Sequence, residues 1–407
     1  MQNEKLIPME SANPVRSWKR LDGVDLLRGL AIFFVLMNHV NMRLLGAKVP
    51  YTRGLPAQLV SAVVWNGQFG VQIFFAVSGF LITSTTLRRW GALATIAPRD
   101  FYLLRFARIA PLLALLLAVL SGLDFAHVKD FVVPAKTGGL ARALAAALTF
   151  HVNLLEARRG YLPANWDILW SLSVEEMFYL FFPLVCRVFG RGKLLMAILL
   201  AFVALGPFAR TVFAHENGVW QEYSYLGGMD AIAFGCLTAI LLSGTRFSRT
   251  VIGMLAGSGA AILIFILGFS REAYTRGLDR SGLGMTILAL GTCMIIIVAA
   301  QTQWKGPSIL SPLLMLGQRS YEVYLTHMFV VFALFDFFVS KGKPLGAAPF
   351  LFIAVIPIAG ALGEVVARFY SEPMNRLIRN RFGDGPNRLG SVIDNEGAVP
   401  IEKHAAA

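Results

Sequence analysis

The sequence predicts an all-α fold, a polytopic membrane bundle of about ten transmembrane helices with both termini in the cytoplasm. Three observations carry this reading. Ten stretches, near 26–45, 70–88, 103–122, 171–189, 194–214, 227–243, 250–269, 283–301, 318–339 and 348–370, are mostly apolar. Each approaches the roughly 20 residues a helix needs to cross a bilayer. Hydrophobic residues make up 56% of the 407 and charged residues 15%, with a mean hydropathy of +0.62; a soluble domain carries roughly 25% charge. The third observation is the placement of the basic residues. With ten spans and a cytoplasmic N-terminus, 23 of the 37 Lys and Arg fall inside and 14 outside, as the positive-inside rule requires.

Taken along the chain, residues 1–20 are polar, and the apolar run after them has no small-residue cleavage site. They are expected to be a cytoplasmic segment, not a signal peptide. Residues 21–379 form the membrane domain. An eleventh run, 140–155, is short and carries Arg142, His151 and Asn153. Counting it as a span inverts everything after it and leaves 18 basic residues inside and 19 outside, with no bias. It is therefore expected to lie on the outer surface or to re-enter. The tail 380–407, polar from Gly383 onward, is expected to be disordered and cytoplasmic. Soluble α/β enzymes, secreted disulfide scaffolds and disordered chains are excluded. The formal charge of +13 reads as basic loops that fix orientation, not as nucleic-acid binding. Cys186, Cys236 and Cys293 lie in apolar runs and show neither metal spacing nor a disulfide framework.

With so little polar sequence outside the spans, any chemistry must happen inside the bundle. Charges at membrane depth are costly and usually face a bundle interior or a water-filled cavity. In the first span Arg28 and His39 are eleven residues apart, which is three turns plus about 20°, so both face the same way about 16 Å apart along the axis. Asn38 stands beside His39. The span 171–189 opens with Trp170-Ser171-Leu172-Ser173-Val174-Glu175-Glu176-Met177-Phe178-Tyr179. Entered from outside, it puts Glu175 about 7 Å below the outer surface, near the depth of His39. Two acids within one span are hard to explain as packing, and Glu175 is placed to face His39. In the span 318–339, Tyr321, Tyr324 and His327 share a polar face at i, i+3, i+6 spacing. A packing role for His327 is at least as plausible as a catalytic one. Ser78-Gly79 in the second span permits close helix approach. Arg88, Arg89, Arg99, Arg105 and Arg108 concentrate on the cytoplasmic side. Most are orientation signal, but Arg105 and Arg108 are already inside a helix and suit a phosphorylated ligand.

These segments together resemble the acyltransferase family 3 membrane proteins, which acylate glycans and other hydroxyl acceptors in bacteria. The resemblance runs from Leu21 to about Arg379. It is carried by Arg28-x10-His39, Phe74-Phe75-x-x-Ser78-Gly79-Phe80-Leu81, Arg105-x-x-Arg108-Ile109-x-Pro111, Trp170-Ser171-Leu172-x-Val174-Glu175-Glu176-x-Phe178-Tyr179, Ser320-Tyr321-x-x-Tyr324-Leu325-x-His327 and Glu372-Pro373. Each piece alone is weak; six in family order on ten spans are specific. Two departures are mild. Glu176-Met177-Phe178 stands where many members have Glu-Gln-Phe, and Ser371-Glu372-Pro373-Met374 replaces the commoner Glu-Arg-Pro. Some members carry an appended esterase-like domain, which this chain is expected to lack.

The resemblance implies a multi-pass enzyme of the bacterial cytoplasmic (inner) membrane. Its donor would be acetyl-CoA or another acyl-CoA, with no metal, and its acceptor a carbohydrate hydroxyl. Arg28, Arg105 and Arg108 would hold the anionic part of CoA. His39 would be the general base and Glu175 would orient it; a covalent acyl-His is the less favoured variant. Asn38, Ser78, Trp170, Ser171, Tyr179, Tyr324 and His327 would shape the pocket. The long outer loop 122–170, with a contribution from 215–225, would meet the acceptor. Two other readings stay open: acylation of a small hydroxylated metabolite or antibiotic at the cytoplasmic face, and a proton-coupled transporter. Against the transporter, no second half repeats the first. A structural or sensory membrane protein would leave several buried charges as idle cost.

Overall fold

A computed structural model describes residues 20–212, 217–278 and 280–383. The N-terminal segment before Arg20, the tail after Gly383 and part of the 215–225 loop lie outside the described residues. The described residues form helices and no strand: α1 (Asp22–Gly46), α2 (Ala57–Val64), α3 (Gly67–Trp90), α4 (Pro98–Phe125), α5 (Gly139–Leu148), α6 (Val152–Arg159), α7 (Ala164–Asp167), α8 (Leu169–Phe189), α9 (Lys193–Thr211), α10 (Gly218–Tyr223), α11 (Tyr225–Gly244), α12 (Arg249–Leu263), α13 (Ser270–Thr275), α14 (Leu283–Thr302), α15 (Ser311–Gln318), α16 (Ser320–Ser340), α17 (Ala348–Val366) and α18 (Glu372–Phe382). Ten helical stretches among them are long and apolar enough to cross a membrane.

The expected ten spans are found, and the run 140–155 is not one of them. It folds as two short helices, α5 and α6, separated at Phe150, whose φ of 55° lies in the left-handed region. At 1.5 Å per residue the ten residues of α5 cover about 15 Å, half of the roughly 30 Å hydrocarbon core. Asn153 is fully buried and donates from Nδ2 to the Tyr223 carbonyl at 3.0 Å, which ties α6 to α10.

Burial separates inner helices from outer ones. The apolar windows of α1 and of the α10–α11 stretch are 67% buried, whereas that of α12 is 17% buried and faces outward. The inner pair α3 and α11 meets backbone to backbone. A Cβ on Gly79 would land on the Ile232 carbonyl, and one on Gly235 on the Ala76 carbonyl, so the close approach anticipated at Ser78-Gly79 is made by Gly79. An even number of spans brings both ends of the described chain to one end of the bundle, here called the terminal end. There Arg319 bridges α16 to α17 and α18 through Glu364 (2.6 Å) and Glu372 (2.5 Å). This gives Glu372-Pro373 a structural role. The opposite, far end carries α2, α5, α6, α10 and α13.

Candidate active site

Five helices, α1, α3, α4, α8 and α16, enclose a cavity of about 170 Å³. Three guanidinium groups line it. Arg28 of α1 donates from Nε to Ser320 Oγ at 3.0 Å, and its Nη1 lies 3.7 Å from Asp25 Oδ1. Arg105 and Arg108 come from α4, one turn apart on the same face. Arg105 sits over the Tyr179 ring at 4.0 Å, and its Nε is buried without a hydrogen-bond partner. Arg108 lies 3.9 Å from Glu322, which is 1% exposed and has a second carboxylate oxygen without a partner. Glu175 enters from α8 and faces Ser78, Arg105 and Arg28. Ser78 Oγ in turn hydrogen-bonds the Tyr179 hydroxyl. The lining is net basic, and its arginines retain unused donors, so it suits an anion with oxygen acceptors.

Tyr324 closes this cavity on its inner side. Its hydroxyl hydrogen-bonds Ser171 Oγ at 2.7 Å and the Ile168 carbonyl at 3.0 Å, and its ring meets Phe74 edge-on. One turn further along α16 stands His327, buried at 1% exposure, with its ring centroid 5.7 Å from that of Tyr324. Beyond it lies His39 of α1, half-buried, with the two imidazole centroids 4.9 Å apart.

The hydrogen bonds set the tautomers of this pair. His327 Nδ1 lies 2.6 Å from the Tyr324 carbonyl, which only accepts, so Nδ1 carries the proton. In the neutral ring Nε2 is then an acceptor. His39 Nδ1 faces that Nε2 at 3.1 Å and the Val35 carbonyl at 2.9 Å. Both are acceptors, so His39 Nδ1 must carry a proton shared between them. The lone pair of His39 is left on Nε2, the atom a general base needs free.

The geometry thus sorts the sequence candidates into two groups. Arg28, Ser78, Arg105, Arg108, Ser171, Glu175, Tyr179 and Tyr324 line one cavity. His39 and His327 form the second group, joined to the first through Tyr324. His39 is expected from helix arithmetic to face Glu175; in the structure the contact of His39 is with His327, and Glu175 faces Ser78, Arg105 and Arg28. Within α8, which begins at Leu169, Glu175 lies about 9 Å along the helix, on the face that meets Ser78, Arg105 and Arg28. Asn38 packs against Gly67 at the start of α3. Trp170 stacks on Tyr223 at 4.1 Å and lies outside the cavity lining.

Sequence reasoning passed over Ser320, Glu322 and Arg43 as site residues. Ser320, Tyr324 and His327 fall at i, i+4, i+7, one stripe of a helix, and that spacing is the signal that links Arg28 to the histidines. Arg43 follows His39 by one turn toward the far end. It pairs with Asp130 at 3.0 Å and lies over the Phe332 ring at 4.2 Å, bracing the loop above the imidazoles. No spacing rule connects it to Asp130.

Comparison with known proteins identifies the family. The family model described as an acyltransferase domain, acyltransferase family 3, matches residues 21–364. The chain is 23% identical over 388 residues to the O-acetyltransferase OatA of Staphylococcus aureus, covering 91% of this chain and 60% of that protein. It is 28% identical over 331 residues to the peptidoglycan O-acetyltransferase OatA of Listeria monocytogenes, covering 76% of this chain and 49% of that protein. The chain therefore spans about half to three-fifths of the length of these relatives. No solved structure matches it. The chain belongs to acyltransferase family 3 and is a multi-pass membrane protein.

Proposed function

We propose that this chain is an acyl-CoA-dependent O-acyltransferase of the bacterial inner membrane, moving an acyl group, acetyl in the simplest case, to a hydroxyl of a cell-envelope glycan. The observation that carries the proposal is the alignment of a tri-arginine cavity, Tyr324 and the His39–His327 pair along one interior path. The names of the relatives, O-acetyltransferase and peptidoglycan O-acetyltransferase, support the acceptor class.

The terminal end is read as cytoplasmic, where CoA is made. Arg28, Arg105 and Arg108 bind its anionic groups, and the acyl thioester supplies the electrophilic carbonyl. A cavity of about 170 Å³ is smaller than the roughly 300–1,000 Å³ that encloses a drug-sized ligand, so it takes only part of the donor. The rest stays at the cytoplasmic mouth. Glu175 holds Arg105 and Arg28 in place. His39 Nε2 takes the proton of the acceptor hydroxyl as that oxygen attacks, and returns a proton to the departing sulfur, so the base is regenerated. His327 keeps Nδ1 of His39 protonated and Nε2 free. Tyr324 stands between donor cavity and base and moves aside, or lends its hydroxyl, as the acyl group passes.

The test uses the full chain purified into lipid nanodiscs with radiolabelled acetyl-CoA and envelope glycan. Label should pass to the glycan, and His39→Ala should reduce transfer by about 10²- to 10⁴-fold while CoA still binds. Glycan that stays unlabelled, or near-normal transfer by His39→Ala, would overturn the assignment. Orientation is read separately. A reporter fused after Gly160 should be external and one at Gly190 cytoplasmic; the reverse pair of readings would invert the donor side.

A further inference from the structure

A second cavity, of about 690 Å³, opens at the far end between α2 and α13 on one side and α3, α9 and α14 on the other. We propose that it is a binding site for a neutral saccharide, holding units of the acceptor glycan that do not themselves react. The proposal rests on the glycan reading above for its ligand class and on separate residues for its evidence.

Its volume falls within the roughly 300–1,000 Å³ of built ligand sites. Trp65 and Tyr274 line it and are 51% and 59% exposed. Flat rings with one polar edge can cover the C–H face of a pyranose while leaving its hydroxyls free to bond elsewhere. Four amide side chains, Asn66, Gln68, Gln72 and Gln221, share the lining. An amide offers both donors and an acceptor, which is what a ring of hydroxyl and acetamido groups requires.

Asn66 is the most telling of these. It is fully buried, and its Nδ2 donates to the Ala62 and Leu267 carbonyls at 2.8 Å each. Those two bonds fix the amide plane, and Oδ1 is left without a partner. A buried acceptor held rigid and unused is destabilising unless a ligand donor meets it.

Charge argues against a phosphate or carboxylate ligand. Arg210 in the cavity wall is neutralised by Asp230 at 2.7 Å, and Arg271 and Glu222 add one charge of each sign. An acyl chain would cover the amides without giving them partners.

The site is distinct from the reaction centre. Asn41 of α1 turns toward α2, donating to the Val64 carbonyl at 3.4 Å. His39, two residues earlier and so about 200° away around the helix, turns toward α16. The α1–α3 contact at Asn38 and Gly67 stands between them. A saccharide held here anchors a polymer whose reacting unit lies across α1, which lowers the acceptor KM and leaves kcat alone.

The experiment is equilibrium binding of radiolabelled chitotetraose, maltotetraose and mannotetraose to the full chain in nanodiscs, without CoA. One of the three should bind saturably, one per chain. Trp65→Ala and Asn66→Leu should each weaken that binding at least about tenfold, as loss of a central contact does. Trp65→Phe should retain most of it. Trp65 is half exposed, so its substitution leaves the fold intact even if Asn66→Leu does not. In the transfer assay Trp65→Ala should raise the acceptor KM with kcat unchanged. Failure of all three sugars to bind, binding indifferent to Trp65→Ala, or a phospholipid that photocrosslinks to Tyr274 and resists the sugars would overturn the proposal. Saccharide binding without any acyl transfer would overturn only the acyltransferase reading. Transfer with an unchanged acceptor KM in Trp65→Ala would overturn only the anchoring site.

Discussion

Two sets of arginines inside the bundle differ in what surrounds them. Arg210 of α9 is 6% exposed, and each of its five N–H groups has an acceptor. Nη1 and Nη2 meet Asp230 Oδ1 and Oδ2 at 3.1 and 2.7 Å, Nε meets the Gly282 carbonyl at 2.9 Å, and the remaining two meet the Gly227 carbonyl and Thr286. Asp230 is equally engaged, accepting from Gln72 at 2.9 Å. Nothing is left over for a ligand. Arg28, Arg105 and Arg108 are the reverse case, with one hydrogen bond to Ser320, ion pairs at 3.7 and 3.9 Å, and an unpartnered Arg105 Nε. A buried cation whose donors are all used is a strut between helices. A cation with donors to spare, facing a cavity, is a site. Access and satisfaction separate the two together: the side chain of Arg210 is 6% exposed, those of Arg28 and Arg108 20% and 38%.

The comparison is broken most directly by removing one arginine from each set. Arg210→Met leaves Asp230 buried and unpaired, which should cost about 3–5 kcal/mol, much of a typical total. Thermal unfolding in detergent would read it. Arg28→Met should melt close to the parent yet bind CoA about ten- to a hundredfold more weakly, the scale of a lost charge-assisted hydrogen bond. Arg28→Lys should recover only part, because an ammonium lacks the planar fork. If Arg28→Met melts as low as Arg210→Met, the distinction between strut and site fails.

A finer division lies within the histidine pair. His327→Ala should reduce kcat by less than the about 10²-fold floor for losing the base itself, with CoA affinity unchanged. His327→Gln should restore part of the loss, because its carbonyl accepts from His39 Nδ1. A purely structural role for His327 would show no such recovery. If instead His39→Ala is active and His327→Ala is dead, the two roles exchange.

The smallest effect is expected at the far end. Burial and the neighbouring Asp167 hold the Glu156 carboxyl well above the usual range, while the Leu162 N–H donates to it at 3.0 Å. A carboxyl raised in the folded state favours folding while protonated, and that contribution fades as pH rises through the raised value. Trypsin cleavage after Arg158 or Arg159 should therefore quicken from roughly pH 5 to pH 9 in the parent relative to Glu156→Gln, which carries no such proton. Equal ratios at both pH values would remove Glu156 from this role.

Composition, periodicity and the placement of the basic residues determined that the chain is a ten-span helical bundle. Lipid demands long apolar helices, and that demand is written residue by residue. They also put Arg28 and His39 on one face, because both lie on a single helix whose pitch is fixed. What only the tertiary structure decided is which side chains from different helices meet. His327 against His39, Arg210 against Asp230 and Glu175 among the arginines depend on the rotation and depth of each helix. Those follow from packing such as Gly79 on α11, and no spacing within one segment encodes them.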